Sequence, residues 1–352
     1  MSPTLLARAK VQQLTPYQSA RRIGGQGHIW LNANEAADSG KFNLDCERLN
    51  RYPECQPPQV IQAYAAYAGV SPEQVLVSRG GDEGIELLIR TFCEPGEDRI
   101  LISSPTYGMY AISAETNGVH VVDVPLTAER QPDFDGIIER LDEVKLVFLC
   151  SPNNPTGDLV NRDGLLRLLN AARGRALVVV DEAYIEFCPE HSQAALLADY
   201  DNLVIIRTLS KAFGLAGIRC GFTLASPEVI GLLLKVIAPY PVAEPVAQIA
   251  AQALSEQGLV LMRNRVDEIN RLKDELARSL LQHQQVREVF APNGNYLLVR
   301  FSPGSEMFAR MSRAGIILRD FASRPGLSDC IRITIGNRAE MDAVLNVLQK
   351  EQ

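Results

Sequence analysis

The chain has 352 residues, of which 46% are hydrophobic and 22% charged, and its formal net charge is −7. This length favours two domains, and this composition is typical of a soluble globular protein. The acidic balance argues against a nucleic-acid-binding surface, which normally shows basic clusters. The cysteines form no CxxC pair and the histidines no HExxH motif, so we expect neither a disulfide framework nor a metal site.

The amino-terminal residues lack the continuous apolar run of a secretion signal, and no stretch of about 18 apolar residues occurs. These features predict a cytoplasmic protein without membrane spans. Residues 1–29 are expected to form a polar arm, and the ordered core is expected to begin at Ile29-Trp30-Leu31.

From residue 75 onward, short apolar strands alternate with helical segments. We predict strands at 75–77, 99–103, 120–124, 145–150, 176–180, 203–206 and 221–224, and helices at 58–68, 82–93, 106–117, 133–141 and 162–173. This alternation predicts an α/β fold with a doubly wound, mostly parallel sheet. Because crossovers are right-handed, the loops that follow the strands should share one edge of the sheet, where ligands bind.

After Pro239-Tyr240-Pro241 the pattern changes. A long helical stretch at about 245–281, broken near Gly258, is followed by predicted strands at 286–290, 296–301, 316–319 and 331–335 and helices at 305–314 and 338–349. This mixture predicts a smaller α+β domain. We therefore expect an arm at 1–29, a large domain at 30–240 and a small domain at 241–352.

The loop after the predicted strand 203–206 contains a lysine that is suited to chemistry. Lys211 follows a buried strand, and a desolvated lysine can lose its proton and form a Schiff base with a carbonyl. Thr208, Ser210 and Arg219 provide hydroxyls and a guanidinium suited to a phosphate. A ligand with both a carbonyl and a phosphate suggests pyridoxal phosphate, although an isolated Ser-Lys pair is more often a surface feature.

Other loops at the same predicted edge carry complementary groups. The turn G-G-D (80–82) opens a helix and can receive an anion on Gly81 and Asp82, and Tyr107 presents a ring that could stack on a flat heterocycle. Asn154 lies in a turn-forming segment, and Asp181 follows a very apolar strand, where a carboxylate is costly unless it meets a cation such as a pyridinium nitrogen. The alternatives are a plain turn for Asn154 and a helix N-cap for Asp181.

Several motifs resemble those of a known family. S-P-N-N-P-T-G (151–157), D-E-A-Y (181–184) and T-L-S-K-A-F-G-L-A-G-I-R (208–219) resemble the hallmarks of fold-type I pyridoxal-phosphate aminotransferases. L-N-A-N-E (31–35), R-Y-P-E (51–54), G-G-D-E-G-I-E-L (80–87), S-P-T-Y-G-M-Y (104–110) and I-R-I-T-I-G (331–336) are most similar to the histidinol-phosphate branch of that family. The resemblance covers essentially the whole chain, and departures at Ala36-Ala37 and Gly81 leave the chemistry untouched.

The resemblance implies roles for the residues around the cofactor ring. Lys211 would hold the cofactor through a Schiff base and then shuttle a proton, and Asp181 would keep the pyridine nitrogen protonated. Asn154 and Tyr184 would bond the ring oxygen O3′, and Tyr107 would stack on the ring. The phosphate would be held by Gly81, Asp82, Ser210 and Arg219, with Thr208 as a weaker candidate.

The resemblance also implies a homodimer and a substrate site. Tyr52 would reach across the dimer interface to the partner's cofactor phosphate, although it could be a packing tyrosine. Arg332 and Arg319 would bind the carboxylate or phosphate of the substrates, and Tyr17 would close over them. Arg319 could instead form a salt bridge at the rim, and Tyr17 could be a packing residue.

The activity that the resemblance implies is amino transfer between L-glutamate and imidazole-acetol phosphate, which yields histidinol phosphate in histidine biosynthesis. Two alternatives share the fold, because substrate choice depends on a few loop residues: a threonine-phosphate decarboxylase and an aromatic amino-acid aminotransferase. A cofactor-binding regulator without turnover is a more remote alternative.

Overall fold

The computed structural model describes residues 3–14 and 27–349. The large sheet has seven strands, which are β2 (Val75–Ser78), β3 (Arg99–Ile102), β4 (His120–Asp123), β5 (Leu146–Cys150), β6 (Leu177–Asp181), β7 (Leu203–Thr208) and β8 (Gly221–Leu224). Their spatial order is β2-β8-β7-β6-β5-β3-β4. In this order, the neighbouring strands β7, β6, β5, β3 and β4 are all parallel to one another. Strand β8 is antiparallel to both of its neighbours, β7 and β2. The predicted mostly parallel sheet is therefore confirmed, with β8 as its exception.

Helices connect these strands. In chain order they are α1 (Ala9–Gln13), α2 (Pro58–Ala68), α3 (Gly81–Phe92), α4 (Met109–Asn117), α5 (Phe134–Glu139), α6 (Arg162–Ala172) and α7 (Pro227–Leu233). Short 3-10 turns at Ile185–Phe187, Pro189–His191 and Ala194–Ala198 lie between β6 and β7.

The central strands are buried because both faces of the sheet are covered. Along β6, Val178 and Val180 pack into one apolar cluster, and Val179 packs into a second cluster on the opposite face. This burial explains the nearly continuous apolar sequence of these strands. The ends of β5 and β6 are aligned, with Cys150 opposite Asp181. The loops after the strands therefore meet at one edge.

The carboxyl-terminal part begins with two helices, α8 (Glu244–Ala253) and α9 (Glu256–Leu281). It continues through β9 (Val286–Val289), β10 (Tyr296–Phe301), α10 (Gly304–Arg313), β11 (Ile316–Ile317), β12 (Arg319–Asp320), β13 (Cys330–Thr334) and α11 (Arg338–Gln349). Four of these strands form an antiparallel sheet in the order β12-β13-β10-β9.

The amino-terminal strand β1 (Ile29–Trp30) joins the two ends of the chain. It pairs in parallel with β11, so residues at the end of the predicted arm and the start of the predicted large domain contact the carboxyl-terminal part. The domain boundaries at 29/30 and 240/241 stay a prediction. Among the described helices, none is long and apolar enough to cross a membrane. The described residues also contain no group of three or more histidine, cysteine or carboxylate side chains that could hold a metal.

Several element boundaries differ from the sequence predictions. The helix predicted from residue 106 begins at Met109, because Thr106 and Tyr107 turn their side chains to contacts across the sheet edge. The long helical stretch breaks at Ser255, whose Oγ accepts the N–H of Gly258 and caps α9. The segment predicted as one strand at 316–319 is divided between two sheets. Helix α7 was not predicted, although Ser-Pro at 226–227 is a typical helix start.

Candidate active site

Lys211 lies three residues after β7, at the carboxyl edge of the large sheet. Its Nζ donates a 3.1 Å hydrogen bond to the main-chain oxygen of Ala33 and lies 5.7 Å from the centre of the Tyr184 ring. Burial lowers the pKa of Lys211 to about 8, and the positive charge of Arg332 adds to this effect. The amine therefore loses its proton more readily than an exposed lysine does, as a nucleophilic amine must.

Asp181 is the last residue of β6, and it is only 4% exposed. Tyr110 on α4 donates its hydroxyl to Asp181 Oδ2 at 2.7 Å, and the N–H of Ala183 donates to Oδ1 at 3.0 Å. Burial raises the pKa of Asp181 to about 6, while these two hydrogen bonds act in the opposite direction. A carboxylate buried in this way fits a cationic partner such as a protonated ring nitrogen.

Asn154 and Tyr184 lie together beside the lysine. The Asn154 amide nitrogen donates to the Tyr184 hydroxyl oxygen at 3.4 Å, and the amide nitrogen of Asn34 donates to the same oxygen at 3.0 Å. Arg332 on β13 donates to Asn154 Oδ1 at 2.6 Å and to the main-chain oxygen of Asn32 at 2.8 Å. Arg332 is 6% exposed, so its guanidinium is a buried cation beside Asn154.

The predicted phosphate-binding groups also converge. Arg219 donates to Ser210 Oγ at 3.4 Å and to Asp82 Oδ2 at 3.3 Å, and the Thr208 hydroxyl donates to Ser210 Oγ at 2.9 Å. A side chain at Gly80 would collide with the guanidinium of Arg219, since a Cβ there would lie 2.6 Å from Nη2. The backbone therefore approaches the arginine closely, as an anion-binding loop requires.

Gly81 and Tyr107 border this group. Gly81 begins α3, so the unpaired N–H groups of the first helical turn face the loop edge and favour an anion. Tyr107 donates its hydroxyl to Asp82 Oδ1 at 2.9 Å, and its ring meets the Tyr110 ring edge-on with centroids 5.6 Å apart. Tyr107 is thus held by its hydroxyl beside the phosphate-binding groups.

The other predicted site residues lie further from this cluster or outside the described residues. Arg319 is paired directly across the small sheet with Arg332, so both side chains leave the same face. Tyr52 is 79% exposed and stacks on Tyr240, with ring centroids 4.4 Å apart. Tyr17 lies outside the described residues.

Three residues of the cluster were not predicted to have roles: Asn34, Tyr110 and Thr334. Asn34 and Tyr110 belong to two motifs that carry the family resemblance, L-N-A-N-E and S-P-T-Y-G-M-Y. Their place in these motifs could have identified them as site residues. Asn34 also adopts a left-handed backbone conformation with φ of 53°, which asparagine tolerates better than most residues. Thr334 lies in I-R-I-T-I-G, two residues after Arg332 and on the same face of the strand.

Comparisons with known proteins agree with this geometry. The family model described as aminotransferase class I and II matches residues 24–348. A histidinol-phosphate aminotransferase of Aeromonas hydrophila is 67% identical over 349 residues, which cover 99% of this chain and 98% of the relative. A crystal structure of histidinol-phosphate aminotransferase from Clostridium acetobutylicum superposes with a TM-score of 0.83 at 25% identity and covers 92% of this chain and 98% of that one.

A second solved structure adds a bound cofactor to the comparison. Histidinol-phosphate aminotransferase from Sinorhizobium meliloti, solved in complex with pyridoxal-5′-phosphate, gives a TM-score of 0.84 at 23% identity and covers 97% of this chain and 96% of that one. At that identity the likeness concerns the fold, whereas the family model and the 67% identical relative concern the sequence itself. The chain therefore belongs to the class I and II aminotransferase family and, within it, to the histidinol-phosphate aminotransferases.

Proposed function

We propose that the chain binds pyridoxal 5′-phosphate and transfers an amino group between L-glutamate and imidazole-acetol phosphate, in histidine biosynthesis. The observation that carries the proposal is the convergence of Lys211, Asp181 and Arg332 on one edge of the sheet, together with 67% identity to a histidinol-phosphate aminotransferase. When bound, this cofactor supplies an electron sink for the carbon that carries the amino group.

The residues present fit the cofactor. Asp181 is a buried carboxylate whose hydrogen-bond partners among residues 3–14 and 27–349 are the Tyr110 hydroxyl and the N–H of Ala183, and a protonated ring nitrogen would provide a cation. Asn154 and Tyr184 would hold the ring oxygen O3′, and Tyr107 would cover the ring. The phosphate would be bound by Gly81, Asp82, Ser210 and Arg219, largely through backbone N–H groups and the guanidinium, with Thr208 as a weaker candidate.

Lys211 would perform two tasks. Its amine would hold the cofactor, and in its free form the same amine would carry the proton that moves during amino transfer. A pKa near 8 suits both tasks at neutral pH, because the amine can then accept and release a proton with little driving force in either direction. The main-chain oxygen of Ala33 orients the amine in the free protein.

The substrate anions would be bound by arginines. Arg332 is buried and fixed by its hydrogen bonds to Asn154 and Asn32, so its planar guanidinium is preorganised for a carboxylate or a phosphate. Arg319 is paired with Arg332 across the small sheet, and its side chain would add a second positive charge on the same face. Tyr17 would close over the substrate from the amino-terminal arm.

We further propose a homodimer in which Tyr52 reaches the active site of a second copy. The exposed stack of Tyr52 on Tyr240 supports this proposal, because two neighbouring aromatic rings in solvent are typical of a protein interface. A mixture of Lys211→Ala and Tyr52→Ala chains tests it: hybrid dimers would regain one intact site and part of the activity. Strictly inactive mixtures would contradict a shared site. A cytoplasmic location stays a prediction from the sequence.

A substrate comparison tests the proposed activity. Purified protein is supplied with histidinol phosphate and 2-oxoglutarate, and glutamate formation is measured; the Lys211→Ala variant serves as the control. We expect turnover with histidinol phosphate and none with Lys211→Ala. Release of carbon dioxide from threonine phosphate, or faster turnover of aromatic amino acids, would contradict the proposed substrate and favour another activity of the same fold.

A further inference from the structure

The hydroxyl of Tyr184 receives hydrogen bonds from two side-chain amides. Asn34 Nδ2 lies 3.0 Å and Asn154 Nδ2 lies 3.4 Å from the Tyr184 oxygen. A tyrosine hydroxyl has two acceptor positions and one proton to donate. If both amides present their N–H groups, both acceptor positions are filled and the proton of the hydroxyl must be donated elsewhere. The direction of each amide therefore decides what Tyr184 can do.

The amide of Asn154 is oriented by Arg332. A guanidinium can only donate, so the Asn154 atom 2.6 Å from Arg332 Nη1 must be the carbonyl oxygen. Its amide nitrogen is consequently the atom that faces Tyr184. This half of the arrangement belongs to residues whose roles were already predicted.

The amide of Asn34 has its oxygen toward the hydroxyl of Thr334. The main-chain N–H of Asn34 donates to Thr334 Oγ1 at 3.0 Å, and the Thr334 hydroxyl then donates its own proton to Asn34 Oδ1 at 3.1 Å. The amide nitrogen of Asn34 is left to face Tyr184. All three residues are nearly fully buried, since Asn34 and Thr334 are each 1% and Tyr184 is 4% exposed. Water therefore competes little for these bonds.

The backbone of Asn34 is anchored as well. Its main-chain oxygen accepts a 3.0 Å hydrogen bond from Asn295 Nδ2, and its left-handed φ of 53° lies in a region that asparagine adopts with little strain. The preceding residue, Ala33, supplies the oxygen that binds Lys211. The side chain of Asn34 is thus held in one place with respect to both Tyr184 and the lysine.

We propose that Asn34, fixed by Thr334, is a positioning residue that makes Tyr184 an obligate hydrogen-bond donor toward the phenolic oxygen of the bound cofactor. The inference rests on the proposed function, because it assumes that Tyr184 meets this oxygen. A hydrogen-bond donor stabilises negative charge on the oxygen. This stabilisation matters most when the neighbouring Schiff-base nitrogen is unprotonated, because no positive charge on that nitrogen then compensates the oxygen. Loss of the donor should therefore raise the pH at which this nitrogen loses its proton.

The test is a spectrophotometric pH titration of the cofactor-loaded protein, in which the midpoint of the change in visible absorbance is measured. Asn34→Asp replaces the amide with a carboxylate of the same shape, which accepts the Tyr184 proton instead of donating to its oxygen. We expect the midpoint to rise by about one pH unit, as it should in Tyr184→Phe. Asn34→Gly, which tolerates the same φ, should shift it less, since the Tyr184 proton stays available.

The double variant separates this effect from plain charge repulsion. In the Tyr184→Phe background, Asn34→Asp should add little, because the proton through which Asn34 acts is gone. An equal shift with and without the Tyr184 hydroxyl would overturn the inference, since the added charge alone would then explain it. Thr334→Val should raise the midpoint, whereas Thr334→Ser should keep the midpoint of the parent protein. Identical midpoints for these two variants and the parent protein would also overturn the inference.

The outcome also distinguishes this inference from the proposed function. If Tyr184→Phe shifts the midpoint and Asn34→Asp does not, the orientation by Asn34 is refuted while the cofactor assignment stands. If Tyr184→Phe leaves the midpoint unchanged, Tyr184 does not meet the cofactor oxygen, and both the role of Tyr184 and the inference fail.

Discussion

Removal of one hydroxyl, in Tyr110→Phe, should weaken binding of the cofactor. The Tyr110 ring is fully buried and stacks on Phe148 with centroids 5.0 Å apart, so phenylalanine preserves the packing. The change removes the 2.7 Å hydrogen bond to Asp181 Oδ2 and leaves the carboxylate with the N–H of Ala183. This bond favours the charged form of Asp181, which is the form that pairs with a ring nitrogen, so its loss should raise the Kd for pyridoxal phosphate by about tenfold at neutral pH.

The same variant should change the pH dependence of binding. The carboxylate form of Asp181 is the one that pairs with a protonated ring nitrogen, so affinity is present above its pKa and falls as the pH drops through about 6. Tyr110 acts to lower that pKa, and without it the loss of affinity should begin at a higher pH. Equilibrium titration of cofactor-free protein, followed by absorbance between pH 5 and 9, measures both effects.

Tyr64→Phe is the matched control. Tyr64 is also fully buried and stacks on Phe222, but it belongs to the cluster on the other face of the sheet. Its variant should bind the cofactor with unchanged affinity. If Tyr110→Phe and Tyr64→Phe behave alike in affinity and pH dependence, the assignment of Asp181 as partner of the ring nitrogen is wrong.

Three further changes test other parts of the structure. Arg207→Ala should lower the free energy of unfolding by about 3–5 kcal/mol, because the fully buried carboxylate of Glu182 loses the guanidinium 2.8 Å away. Urea titration measures this change, and a loss below about 1 kcal/mol would contradict the reasoning. Gly157→Ala should destabilise far more than Gly174→Ala. Both glycines have positive φ, but only a Cβ at 157 would collide with the main-chain oxygen of Ala291; equal melting temperatures would refute this collision. Arg332→Ala should raise KM for both glutamate and histidinol phosphate at least about tenfold, and unchanged values would place the anion site elsewhere.

The large sheet was predictable because its sequence pattern is local. Strands β5, β6 and β7 are buried on both faces, so their continuous apolar runs stand out, and Asp181 and Lys211 are identifiable by their position just after such runs. The antiparallel direction of β8 has no corresponding signal in the sequence. The short apolar run 221–224 reads the same in either direction, and only its pairing with β2 and β7 defines it.

The partners of the site residues were not predictable, because they come from distant parts of the chain. Tyr110 and Asp181 are 71 residues apart, and Asn34 and Thr334 are 300 apart. No periodicity links such pairs, and only the folded chain brings their side chains together. The division of 316–319 has the same origin, since β11 pairs with the amino-terminal strand and β12 with β13.

Lys211 is the residue that we expect to bind pyridoxal phosphate covalently. The most direct measurement is reduction of the cofactor-loaded protein with borohydride, followed by mass spectrometry of its peptides. We expect the added phosphopyridoxyl mass on Lys211, whose amine bonds to the main-chain oxygen of Ala33 at the sheet edge and has a pKa near 8. Stoichiometric label on another lysine, such as the buried Lys273, with Lys211 unmodified, would contradict it.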